Sequence, residues 1–216
     1  MNDLVFLEPN KIGAEPFTTS KVICEFSGVS HKYVKKQITT HKPEFKSLGL
    51  LDAYATESTG GRPEEIYRLN EPQASFLMTL LKNTPVVVAF KLELVRQFYA
   101  MRTELQRRQI AKIDRKPIRE SLTDGIKNLP ETPHKSMWYK HYTDLIYRTV
   151  TGMTAKQLRE TRNAPPKAIA SDYMEADELE AVTRMENRIA VMLEMGMNYQ
   201  QIKAALRNIT ISAHAG

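Results

Sequence analysis

The chain has 216 residues, 42% hydrophobic and 26% charged, a balance that excludes a disordered chain and gives material for one large or two small domains. Its net charge of +6 sits mainly in residues 1–116, with 18 Lys/Arg against 13 Asp/Glu, while the remainder holds 13 against 12. No apolar run approaches the ~20 residues that cross a bilayer, no secretory signal is visible, and one cysteine cannot close an intramolecular disulfide, so a reducing cytoplasm is expected.

Residues 1–16 lack a helical period, and Leu4 to Leu7 read as one short strand. Residues 18–38 read as two short helices about a glycine turn. Thr19 is an N-cap candidate, Val22, Ile23 and Phe26 supply an apolar face, and Gly28 supplies the left-handed residue between the helices. Ser30 then caps a second helix. Val34 and Ile38 mark its inner face, and at 100° per residue Lys32 and Lys36 fall roughly opposite, near 160° and 200° from Val34, with Tyr33 and Lys35 on the flanks. A helix clamped from behind with cations in front is the pattern of a helix-turn-helix lying in a major groove. The plainer reading is a basic, solvated helix. Between Ser27 and Lys46 the lysines at 32, 35, 36, 42 and 46 are opposed only by Glu44, a local excess suited to phosphate contacts.

Pro43 and Gly49 punctuate an expected loop. Leu50 to Thr56 and Glu65 to Leu69 then read as a hairpin, with Arg62 at a Gly-rich tip where a wing would touch phosphate or a minor groove. Asn70 with Gln73 reads as a capping box, and Phe76, Leu77, Leu80 and Leu81 face a core. Thr84-Pro85 starts a long helix with the stripe Val87, Phe90, Leu94, Phe98, Met101 and Leu105, which is core or a dimer seam. Beyond Met101 the helix turns basic, through Arg102, Arg107, Arg108, Lys112, Arg115, Lys116 and Arg119. That run reads as a solvated linker or an extension along DNA phosphates.

Pro117, Gly125, Pro130 and Pro133 place a linker at 117–133, between a domain of residues 1–116 and a helical domain of residues 134–216. In the latter, Trp138, Tyr142, Leu145 or Ile146, and Thr149 recur at helical spacing, Gly152 ends a segment, and Thr154 with Gln157 makes a second capping box. Leu179, Val182, Met185, Ile189, Met192 and Met195 form a second seam ending at Gly196, after which Asn198 with Gln201 starts a short helix burying Ile202 and Leu206. Residues 144–162 also admit a second helix-turn-helix presenting Lys156, Arg159 and Arg162, although a capped surface helix explains them equally.

His31, Val34 and Ile38 in this spacing, Gly61-Arg62, and YRLNEPQASFLMTLLKNTPVVVAFKLELVRQFYAMR at 67–102 together resemble the Rha family of phage regulatory proteins, over about residues 17–104. The resemblance implies a winged helix-turn-helix-like domain, a phage or prophage setting in a bacterial host cell, and regulation of transcription. Two positions depart from it: Cys24 stands where a small alanine-like residue is usual, and Lys36-Gln37 where an acidic residue often precedes the apolar one.

The histidines at 31, 41, 134, 141 and 214 form no HExxH pair, one cysteine makes no zinc set, and neither a P-loop nor a GxSxG elbow occurs. Neither an enzyme nor a cofactor or metal is therefore expected. The expected fold is α+β, mostly α, with a winged helix-turn-helix-like N-terminal domain, a small β-hairpin wing and a long helix, followed by an all-α C-terminal region. The expected partner is double-stranded DNA, met by Thr19, Ser30, His31, Lys32, Tyr33, Lys35, Lys36 and Arg62, with homodimer formation through the seams. The alternative is an antirepressor that acts by binding a repressor or host protein.

Overall fold

Local capping fixes the first helices. In the computed structural model, which describes residues 3–55, 63–131 and 135–213 and side chains as far as Arg207, strand β1 (Phe17–Thr19) runs directly into α1 (Ser20–Ser27). The Thr19 hydroxyl accepts from the Val22 N–H, and Gly28 closes α1 in the left-handed region at φ 69°. Helix α2 (His31–Thr40) follows its Ser30 cap and buries Val34 and Ile38 completely. Leu4 to Leu7 make no regular strand, only an isolated bridge between Phe6 and Phe17, yet the segment is anchored because the Leu4 N–H donates to Gln97 Oε1 at 2.7 Å.

The loop expected between Pro43 and Gly49 is mostly helix, α3 (Lys42–Ser47). Proline is tolerated in a first turn, where its missing N–H has no intrahelical partner to lose, and Phe45 drives the turn into the core at 0% exposure. The hairpin reading holds for its described part: β2 (Asp52–Ala55) pairs antiparallel with β3 (Glu65–Asn70), which also pairs with β1, giving the order β1-β3-β2. Arg62 and the hairpin tip lie outside the described residues.

Asn70 caps α4 (Glu71–Leu80) in the expected box with Gln73. That box does more than start a helix. Gln73 Nε2 lies 3.1 to 3.3 Å from the carbonyls of Phe45, Gly49 and Leu50, and Asn70 Nδ2 donates to Leu48 O, so the box also ties down the turn after α3. Gly49 is required there: at φ 140° an added Cβ would stand 2.5 Å from Asn70 Nδ2.

Helix α5 (Pro85–Lys127) is continuous over 43 residues, which corrects the linker at 117–133. Pro117 is accommodated inside it, and Leu122 and Ile126 beyond that proline are buried. The chain divides instead within α5, into a unit of Met1–Glu8 with Ala14–Thr103 and a unit of Pro9–Gly13 with Glu104–Gly216. Val87, Phe90, Leu94 and Phe98 belong to the core of the first unit, together with Ile23, Val34, Ile38, Phe45 and Leu77.

The second unit adds α6 (Lys135–Thr151), α7 (Ala155–Thr161), a short 3-10 turn (Ala170–Tyr173), α8 (Ala176–Glu194) and α9 (Tyr199–Ala213). Leu179, Val182, Met185 and Ile189 lie in its core with Tyr142, Ile146, Leu158, Ile202 and Leu206, while Met195 at the end of that stripe is 73% exposed. The boxes at Thr154 and Asn198 form as expected. Both stripes expected as dimer seams are therefore largely filled within their own units.

The basic run is also internal. Arg107 pairs with Asp177 and Glu180, Lys112 with Asp172, and the buried Arg108 with Glu104 and Glu175. Arg115 and Arg119 converge on Glu186, a carboxylate at 0% exposure. These cations neutralise acids of the second unit, so the run is neither a solvated linker nor a free phosphate-binding strip. No helix among the described residues is long and apolar enough to cross a membrane.

Candidate nucleic-acid interface

The face opposite Val34 and Ile38 carries Lys32, Tyr33 and Lys36, all exposed. Neither lysine has an ion-pair partner among the described residues, so the ammonium groups are open to an anionic partner. Thr39 stands on the same helix but donates its hydroxyl back to the carbonyls of Lys35 and Lys36. The sides of α2 are pinned to the sheet. His31 Nδ1 lies 2.6 Å from Glu64 Oε1 and its Nε2 lies 3.2 Å from Ser20 Oγ, while Ser20 Oγ accepts from the Tyr67 N–H at 3.0 Å. Lys35 Nζ is 3.0 Å from Glu65 Oε2, one residue further along.

The eight residues expected to meet DNA thus divide by role. Lys32, Tyr33 and Lys36 share one open face. His31 and Lys35 orient α2 against β3 and the residue before it, and each already has a carboxylate partner. Thr19 is 7% exposed with its hydroxyl engaged in the α1 cap, so it sets the start of α1 and is withdrawn from the surface. Ser30 is exposed, its hydroxyl accepting from the Tyr33 N–H at 3.4 Å. Arg62 falls outside the described residues.

Glu64 and Glu65 are the residues that sequence reasoning missed. No local spacing signals them, since they meet His31 and Lys35 across some thirty residues of sequence. The Lys35 hydrogen bond holds the Glu65 carboxyl below the usual carboxylate range. Cys24 is a half-buried free thiol whose pKa is pushed up to about 11, first by burial and then by Glu64, which marks it as an unreactive packing residue. Of the three cations of the second helix-turn-helix reading near residues 144–162, two are paired, Arg162 with Glu175 and Glu178 and Lys156 with Glu160 at 3.7 Å.

Residues 18–103, which span α1, α2, the β2–β3 pair, α4 and the first part of α5, match the family model of phage regulatory protein Rha. No curated protein matches the chain. The match supports a phage regulatory role for this segment, which coincides closely with the continuous part of the first unit.

Proposed function

We propose that this Rha-type segment binds double-stranded DNA as a winged helix-turn-helix, with α2 in the major groove and the β2–β3 hairpin as the wing, and so regulates phage or prophage transcription. The observation that carries the reading is the open Lys32, Tyr33 and Lys36 face on a helix whose back and sides are fixed. Fixed sides matter because a groove-reading helix gains specificity only if its side chains arrive pre-oriented. Lys32→Ala with Lys36→Ala is expected to weaken duplex binding and to flatten the slope of log affinity against log salt by about two, at roughly 0.9 per lost phosphate contact. Unchanged affinity in a folded variant removes this face from consideration. The alternative, an antirepressor acting through a repressor or host protein, predicts that the same variant keeps full regulatory activity in cells.

The expected homodimer shifts to a different surface. On α5 the side chains of Val88, Leu92, Val95 and Tyr99 are 51, 53, 53 and 62% exposed, on a stripe roughly 125° around the helix from the buried one. Their 4-3-4 spacing reads the same in both directions. A two-fold axis between Leu92 and Val95 would set Leu92 of one copy on Val95 of the other and Val88 on Tyr99, the self-complementarity that an isologous dimer needs. Glu93 and Arg96 border one side of the stripe, 4.0 Å apart within a chain, and antiparallel pairing brings each within reach of its opposite in the second copy. The patch is of the few-hundred-Å² class and below the ~800 Å² per partner of a stable complex, which fits a weak dimer strengthened by two adjacent half-sites on DNA.

A further inference from the structure

A cleft of about 800 Å³ opens in the second unit between α6 and α9, lined by Lys140, Arg148, Lys203 and Arg207 with His141 and Tyr199. The four cations have no ion-pair partner among the described residues. Elsewhere in the unit Arg107, Arg108, Lys112, Arg115, Arg119 and Arg162 meet carboxylates, while Lys116, Arg159, Lys167 and Arg188 have none among the described residues; what sets the cleft apart is that its four cations line one concavity. The one acid lining the cleft, Asp144, accepts from the Ala155 N–H at 3.0 Å and so faces the start of α7 with that oxygen. Charge left unneutralised around a concavity focuses potential onto an anion.

The walls also offer flat rings. Tyr199 lies 5.5 Å from Trp138, 6.2 Å from His141 and 5.3 Å from Tyr142, centroid to centroid. Behind Tyr199, the Tyr142 hydroxyl is buried without a hydrogen-bond partner among the described residues, an uncompensated polar group of the kind that accompanies functional sites. We infer that this cleft binds a phosphorylated nucleoside, its phosphate held among Lys140, Arg148, Lys203 and Arg207 and its base against Tyr199 and His141. Inorganic phosphate leaves the rings unused, and a duplex keeps its base faces stacked inside, so the ligand is a free nucleotide or a nucleotide of a single strand.

Trp138 is the chain's sole tryptophan and touches the ring that lines the cleft, so its fluorescence reports this site and no other. The full chain is titrated at low salt with inorganic phosphate, AMP, ATP and a single-stranded oligothymidylate. The expected result is a saturable change in Trp138 emission with AMP, ATP or the oligonucleotide, at concentrations at least tenfold below those at which phosphate acts. Saturation by AMP or ATP as low in concentration as by the strand identifies a free nucleotide, and saturation by the strand alone identifies single-stranded nucleic acid. Arg148→Gln with Arg207→Gln, both exposed, is expected to raise the half-saturation concentration tenfold or more without changing the melting curve. No emission change with any probe, binding that leaves Trp138 silent, or a titration unchanged in the double variant would overturn the assignment.

Discussion

Thr18 sits at 0% exposure in the middle of β1, and its hydroxyl has no hydrogen-bond partner among the described residues. An unsatisfied buried hydroxyl costs roughly 1–3 kcal/mol, and valine has nearly the same shape with a higher preference for strands. Thr18→Val is therefore expected to stabilise the first unit by about 1 kcal/mol, seen as a raised denaturant midpoint with an unchanged slope. A lowered midpoint would show that the hydroxyl is satisfied in solution. Glu65 makes the second argument at this scale. Its carboxyl is depressed below the ordinary 4.5, chiefly by the Lys35 hydrogen bond. A depressed acid contributes stability that is complete above its unfolded pKa and disappears as pH falls through the folded value. Glu65→Gln should thus be slightly less stable than the parent at pH 7, with the gap closing as pH falls through the depressed folded value and the parent's carboxyl takes up its proton. A gap that stays constant from pH 7 far into the acid range would assign the effect to packing.

Elements whose determinants lie within four residues were legible. The caps at Thr19, Ser30, Asn70, Thr154 and Asn198, the turn at Gly28 and the inner stripe of α5 all follow from local spacing. What the sequence hid depended on distant partners. The run from Arg107 to Arg119 looks like an exposed basic helix because the acids that neutralise it, Asp172, Glu175, Asp177 and Glu186, are some 60 to 70 residues further along. Pro117 looks like a break because propensity weighs its lost hydrogen bond but not the burial of Leu122 and Ile126 beyond it. The α5 stripe at Val88, Leu92, Val95 and Tyr99 was masked by its stronger neighbour, since one apolar helix carries two faces and periodicity reports their sum. The dimer proposal predicts that Leu92→Glu with Val95→Glu abolishes self-association in sedimentation while leaving the melting temperature within a few degrees, because both side chains are already half exposed. Concerted unfolding of that variant, or a parent that stays monomeric on a duplex carrying two half-sites, would refute the surface.

At the scale of the whole chain, the two units differ in how they are held together. The first has a sheet and a core of aliphatic and aromatic side chains from Leu4 to Phe98, whereas the second joins an apolar core to ion pairs on Glu104, Asp172, Glu175 and Glu186. The division at Thr103, inside α5, moves the sensible end of an independent N-terminal fragment from residue 116 to residue 103. Residues 104–116 would bring Arg107, Arg108, Lys112 and Arg115 without Asp172, Glu175, Asp177, Glu180 and Glu186, leaving Glu104 as their one remaining ion-pair partner and adding nonspecific affinity for any polyanion. A fragment of residues 1–103 is expected to unfold in one cooperative transition and to keep the salt-dependent duplex binding proposed for Lys32 and Lys36. The complementary fragment 104–216 should bind no duplex and should be less stable than the second unit within the full chain. It lacks Ile12, which is part of that core and whose N–H donates to Asp172 O at 2.9 Å, and it lacks Asn10, which accepts from Arg108 at 2.6 Å. Burial of one isoleucine and two hydrogen bonds corresponds to about 3–5 kcal/mol, large against the 5–15 kcal/mol that holds a typical domain. Thermal melts of fragment 104–216 with and without a peptide of residues 9–13 decide the point: partial recovery of stability at millimolar peptide is the expected outcome, and a fragment as stable as the unit in the full chain would show that residues 9–13 only rest on its surface.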